Sequence, residues 1–167
     1  MKIMKKIKTT TAILLTLMLA LSGFSINVKA EPTINTGRTG SLTIYQYGME
    51  DISGAGSAGT GETTDAGSVP AGSKPLQGVE YTIYKVEELS AYYGTNSPAE
   101  AEDKVIADGI TGDSGTTDLD GKVTFSDLSL GLYLVKVTKS NENVTHETAP
   151  FLVSIPMTKV DGTGWLY

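Results

Sequence analysis

Residues 117–137 read TDLDGKVTFSDLSLGLYLVKV. Asp120-Gly121 is a turn signal between apolar runs, because glycine takes positive φ at no steric cost. A short β run follows at Val123 and Phe125. After Asp127-Leu128 and Gly131 comes a second alternating run, Tyr133, Val135 and Val137. The reading is a hairpin into consecutive strands. Gly131 is expected where the backbone bends or approaches a neighbour closely.

Further strand signals lie on either side. Ser41–Tyr47 (SLTIYQY) alternates Leu42, Ile44 and Gln46 against Thr43, Tyr45 and Tyr47. Val79–Val86 (VEYTIYKV) alternates Val79, Tyr81, Ile83 and Lys85 against Glu80, Thr82, Tyr84 and Val86. Such β-branched and aromatic residues suit a pleated, half-buried surface. Phe151–Met157 (FLVSIPM) is another strand, and its Pro156 marks an edge or a strand end. Asp161–Gly164 supplies a turn before a last strand at Trp165-Leu166-Tyr167.

Two insertions interrupt this pattern. Gly48–Lys74 is rich in Gly, Ser, Thr and Ala and reads as a mobile surface loop, too poor in apolar area to offset its ordering entropy. Asn96–Ala107 is the one helical candidate. Ser97 suits its cap, Pro98 its first position, and Glu100 and Glu102 its positive end. Val105 and Ile106 are its only large apolar residues, so a surface helix is expected. Several short strands, turn signals and little helix together give an all-β, Ig-like sandwich.

The first 30 residues read as an export signal. Lys2, Lys5, Lys6 and Lys8 precede an uncharged apolar run from Ala12 to Phe24, and Val28-Lys29-Ala30 fits cleavage between Ala30 and Glu31. The apolar run is short of the ~20 residues of a spanning helix, so membrane contact is expected only during export. All 19 acidic residues, but only eight of the 13 basic ones, follow Ala30, so residues 31–167 carry a formal charge of −11. That balance opposes nucleic-acid binding, which needs Lys and Arg against phosphates. The chain has no cysteine. Disulfides, thiol catalysis and thiolate metal sites are excluded. The 137 residues after the signal suit one domain.

The segments GSLTIYQY (Gly40–Tyr47), PLQGVEYTIYKV (Pro75–Val86), TDLDGKVTFSDLSLGLYLVKV and APFLVSIPMTKVDGTGWLY (Ala149–Tyr167) carry a resemblance. The third resembles the B-type repeat of Gram-positive surface proteins, the collagen-adhesin B (CnaB) sandwich. The four in order, behind an export signal, look like the N-terminal domain of a SpaA/FimA-type major fimbrial subunit, a shaft pilin.

The resemblance implies a structural, non-enzymatic role at the cell wall of a Gram-positive bacterium. It implies other pilin subunits and a class C sortase as partners, and no cofactor. In that family a sortase joins the cleaved C-terminal LPxTG signal of one subunit to a lysine in a YPK-type motif of the next. This chain carries neither motif, so the expectation is a fragment of a longer pilin. The alternative is a deliberately short secreted protein. As a fragment, the sandwich is expected to be truncated at its C-terminal edge, which leaves backbone groups open to strand addition. Lys159 and Lys139 are the nearest other lysines. Neither matches the motif, and both read as solvated surface residues.

The family also forms intramolecular isopeptide bonds, in which a lysine on the first strand attacks an Asn or Asp on the last and a buried acid assists. The resemblance puts the lysine near position 46 and the acid at 137. Gln46 and Val137 stand there, so no isopeptide bond is expected. The second functional reading, in a different class, is an adhesive module for host matrix, mucin or glycans, with Tyr92-Tyr93 the most exposed aromatic pair.

Other chemistry is sparse. His146, the only histidine, reads as a polar-loop residue, and there is no G-x-S-x-G. Thr116–Asp127 partly matches a Ca²⁺ loop through Asp118, Asp120, Gly121 and Asp127. Its first position is Thr, its last is Asp, and its flanks are strands, so the turn reading is preferred and no metal is expected. Asn143-Val144-Thr145 is a glycosylation sequon by pattern only.

Overall fold

The computed structural model describes residues 33–50, 61–62, 69, 71–89, 94–142 and 144–167. The export signal with Ala30 and Glu31, the Tyr92-Tyr93 pair, Asn143 and most of the Gly/Ser-rich insertion lie outside these.

Among the described residues, ten strands and one helix follow in chain order. They are β1 (Gly40–Tyr45), β2 (Tyr47–Gly48), β3 (Lys74–Pro75), β4 (Glu80–Glu88), α1 (Pro98–Asp108), β5 (Asp113–Thr116), β6 (Lys122–Leu128), β7 (Gly131–Lys139), β8 (Phe151–Ile155), β9 (Met157–Thr158) and β10 (Trp165–Leu166). One antiparallel sheet has the order β5-β4-β7-β8, and β1 pairs with β6 in a separate two-stranded ladder. Two small ladders, β2–β3 and β9–β10, complete the fold.

The core lies between the β1–β6 ladder and one face of the four-stranded sheet. Val79, Tyr81 and Ile83, Tyr133 and Val135, and Ile155 come from the sheet side; Val123, Phe125 and Leu128 come from β6. Leu42 and Ile44 add half-buried area from β1, while Thr43 and Tyr45 of that strand face solvent. This is the expected sandwich, and the alternation read in β1 is the one observed.

The opposite face of the sheet is covered as well. Val86, Leu132 and Leu134 pack with Ala101 of α1, and Val105, Ile110, Tyr84 and Leu152 border them. Covering both faces buries every residue from Gly131 to Val135. Burial of a Leu such as Leu134 contributes about 1.5–3 kcal/mol.

The helix is therefore a packed cover. Ala101 is fully buried and Ile106 is 79% exposed, so the inward stripe is narrow. Lys136 Nζ on β7 and Glu102 Oε1 on α1 add an ion pair at 2.7 Å. Its ends follow the sequence signals. The Ser97 side chain accepts from Glu100 N–H, Pro98 sits in the first turn, and Gly109 closes the helix in the left-handed region. Glu100 Oε2 in turn accepts the Asn96 N–H at 2.8 Å.

The expected hairpin is corrected in one respect. Asp118 N–H bonds Lys122 O at 3.0 Å, and Asp118 Oδ1 accepts from Asp120 N–H and Lys122 N–H, so the turn forms. Its two strands then diverge: β5 joins β4, and β6 crosses to β1. Turn chemistry sets the reversal, whereas the buried face of β6 selects its partner. A bulge follows. On β1, Gly40 and Leu42 face Leu128 and Phe125, so β6 carries one extra residue there, and Asp127 takes a φ of 56°.

The glycines single out two close approaches. A Cβ on Gly121 (φ +68°) would stand 2.3 Å from Gln46 O, and one on Gly131 would stand 2.3 Å from Glu87 O. No side chain fits at either place without moving backbone. Gly131 opens β7 as expected.

Pro156 ends β8, which is an edge strand. The base of the Gly/Ser-rich insertion is the β2–β3 ladder, and within the insertion Glu62 Oε1 accepts the Val160 N–H at 3.1 Å.

Candidate functional site

Two regions carry the residues that the sequence singled out. They lie at opposite ends of the strands. The first surrounds Gln46, just beyond β1. Gln46 N–H bonds Gly121 O at 2.7 Å, and Gln46 O accepts from Leu76 N–H at 2.9 Å. The backbone is thus pinned between the Asp118–Gly121 turn and the approach to β4. Thr117 fixes the same end. Its Oγ1 donates to Leu76 O at 2.8 Å and accepts from Val79 N–H at 3.0 Å, and its side chain is buried.

With its backbone held, Gln46 turns its amide toward the sheet. Oε1 accepts a short hydrogen bond from the Tyr81 hydroxyl and a second from Thr148 Oγ1 at 3.3 Å. Nε2 donates to Tyr47 O at 3.4 Å. Gln46 and Val137 line one small hollow with Val79, Ser140, Glu147 and Thr148. The structure thus brings together the two positions where the resemblance puts a lysine and an acid, and fills them with an amide and an isopropyl group. Neither can supply an amine nucleophile or a proton-transfer acid.

Tyr81 is 1% exposed. Burial pushes its hydroxyl above its ordinary value, and a hydrogen bond with the Thr148 side chain pulls it part of the way back. Sequence reading missed the Tyr81–Gln46–Thr148 constellation. Its members stand 35 and 102 positions apart, and alternation marks Tyr81 only as a core residue.

The second region is where the chain reaches Tyr167. Turn residues 159–164 are built as the sequence suggests. Lys159 N–H bonds Gly164 O at 3.0 Å, and Asp161 Oδ1 accepts from both the N–H and the hydroxyl of Thr163. Those two bonds, the hydroxyl one foremost, hold the Asp161 carboxyl below its ordinary value. β10 pairs with β9, and Tyr167 then packs against the start of β1. Its hydroxyl accepts from Asn35 N–H at 2.6 Å, and the Arg38 guanidinium lies 4.3 Å from its ring centroid.

The remaining sequence candidates are dispersed. Lys159 is exposed in the turn beside Asp161, and Lys139 is exposed at the far end of β7. His146 is exposed, with Nδ1 3.2 Å from Thr145 Oγ1. Asp118 spends Oδ1 on the turn, and Asp127 sits in the β6 bulge. Among the described residues, no three His, Asp or Glu side chains are grouped so as to hold a metal ion. Among the same residues, no helix is long and apolar enough to cross a membrane.

Comparison with known proteins agrees with this geometry. Residues 37–167 match the family described as Gram-positive pilin subunit D1, N-terminal domain. The chain is 30% identical to fimbrial subunit type 2 of Actinomyces naeslundii over 178 aligned positions, covering 90% of this chain and 32% of that protein. Among solved structures, the full-length major pilin SpaD of Corynebacterium diphtheriae superposes with a TM-score of 0.60 at 29% identity, over 81% of this chain and 31% of SpaD. The fimbrial protein FimP of Actinomyces oris gives a TM-score of 0.58 at 27% identity, over 83% of this chain and 30% of FimP. The chain thus spans about a third of the length of these relatives.

Proposed function

Because this chain belongs to the Gram-positive pilin family through its D1 N-terminal domain, we propose that it is the N-terminal domain of a structural subunit of a sortase-assembled pilus shaft. The family match over residues 37–167 carries this reading, and the superposition on SpaD and FimP supports it. The role is structural. The sheet, covered on both faces, gives a module that stacks with other pilin subunits at the cell surface. Residues 1–30 direct export and are removed between Ala30 and Glu31.

The covalent chemistry of assembly rests with a class C sortase and with segments other than these. Lys139 and Lys159 take no acceptor role in this reading. At the Gln46–Val137 position the domain forms no lysine isopeptide bond, because the amine and the acid are both replaced.

Immunogold labelling of the source bacterium with antibody to residues 33–167 tests the placement in the shaft. Gold spaced along the whole length of surface fibres is expected. Gold confined to fibre tips, or spread over the wall without fibres, would count against it.

A further inference from the structure

Strand β5 reads Asp-Ser-Gly-Thr, and none of its four residues is buried. Gly115, opposite Tyr81, leaves no room for a side chain, because a Cβ there would stand 2.7 Å from Val123 Cγ2. The strand therefore adds no side chain to either apolar cluster. Its hold on β4 rests on its ladder and on its hydroxyls.

One of those hydroxyls starts a row that crosses three strands. Ser114 Oγ on β5 lies 2.7 Å from Thr82 Oγ1 on β4, which lies 2.8 Å from Thr138 Oγ1 on β7. Thr138 Oγ1 donates to Glu80 Oε1 at 2.8 Å. The row has a single direction. A carboxylate only accepts, and each hydroxyl has one proton to give. Thr138 gives its proton to Glu80, so it accepts from Thr82. The Thr82 proton is then spent as well, so Thr82 accepts from Ser114. Bonds aligned in this way polarise one another. Thr82 is only 5% exposed, and a Cβ on Gly112, just before β5, would stand 2.5 Å from its Cγ2. The backbone leading into β5 thus closes over the buried member of the row.

We propose that β5 is a detachable edge strand and that this row of hydroxyls is its latch. Closed, the latch keeps β5 along β4. A bare β4 edge would offer unpaired N–H and C=O groups on a strand rich in β-branched and aromatic residues, open to pairing with another chain. Open, β5 leaves while β4, β7 and β8 stay paired, since no core side chain leaves with it. Thr82 is the member that touches β5 across the ladder; Thr138 and Glu80 act on β5 only through it.

Hydrogen exchange of the full chain as secreted, followed amide by amide by NMR, tests the latch. In the parent, the β5 amides bonded to β4 should exchange faster than those of β7, through an opening smaller than global unfolding. Thr82→Val keeps the shape and removes the hydroxyl, and should speed β5 exchange by about tenfold while the β7 rates hold. Ser114→Ala, at an exposed position, should act in the same direction, and Thr82→Ser should keep the parent rates. Unchanged β5 rates in both Thr82→Val and Ser114→Ala would overturn the proposal. So would β5 and β7 rates that rise together, β5 amides in the parent as slow as those of β7, or a Thr82→Ser chain that behaves like Thr82→Val.

Discussion

Tyr167 accepts a hydrogen bond from the backbone N–H of Asn35 at 2.6 Å, across 132 positions of sequence. The same ring lies under the Arg38 guanidinium. Tyr167 is therefore fastened to the segment that leads into β1. The cation–π contact is worth about 0.5–1 kcal/mol at an exposed site, and the hydrogen bond about 0.5–1.5 kcal/mol.

Arg38→Ala and Tyr167→Phe should each destabilise the domain by about 1 kcal/mol or less. Tyr167→Phe keeps the ring, so the two losses should add, whereas Arg38→Ala with Tyr167→Ala should couple. Urea unfolding of the single and double variants measures both statements. Full additivity for the Arg38/Tyr167→Ala pair would mean that the stacking contributes nothing.

Gly121→Ala should be more damaging than its size suggests, since the new Cβ would stand 2.3 Å from Gln46 O in a positive-φ position. A cost above about 1 kcal/mol is expected. Gly37→Ala, whose nearest contact is the Asn35 side chain at 3.4 Å, serves as a near-neutral control. Equal thermal midpoints for the two variants would contradict the close approach.

Much of this was legible in the sequence. The alternation of β1, β4 and β7 found the strands, and Ser97 and Pro98 marked the helix start because cap chemistry is local, whereas the closing Gly109 came only with the structure. Two things were not legible. The polar Asp113-Ser114-Gly115-Thr116 shows no alternation, because β5 is a short edge strand held by its ladder to β4. The role of α1 was hidden because Ala101, its one buried residue, is small. Leu132 and Leu134, interleaved with Tyr133 and Val135, were the available sign that β7 is covered on both faces. As for the candidate site, the resemblance located Gln46 and Val137, but not the hydroxyls of Tyr81 and Thr148 that reach Gln46 from distant segments.

Helix α1 offers a separate test of that second face. Ser97→Ala removes the cap accepted from Glu100 N–H and should cost about 1 kcal/mol. Ala101→Leu should cost about 1–3 kcal/mol by overpacking against Val86, Leu132 and Leu134. If chemical denaturation finds Ala101→Leu neutral, the helix does not seal the sheet.

Alkaline pH should weaken the fold through Tyr81. Its hydroxyl is raised by burial in the folded state, so above the ordinary tyrosine value of about 10 the unfolded chain loses a proton that the folded chain keeps. Stability is then level below about pH 10 and falls as pH rises through the folded value. Tyr81→Phe should flatten that fall. Parallel stability curves for parent and variant between pH 9 and about pH 11 would rule Tyr81 out as the cause.

The adhesin reading is tested with immobilised collagen, fibrinogen and mucin. The expected result for the secreted chain is no saturable binding, and saturable binding to any of the three would favour an adhesive module.

The most direct test of the shaft assignment is an immunoblot of cell-wall extracts from the source bacterium, probed with antibody to residues 33–167. A ladder of high-mass species that resists boiling in detergent, and that collapses to monomer when the pilin sortase gene is deleted, is the predicted result. A single band at monomer mass in both strains, under conditions where surface fibres are present, would contradict it.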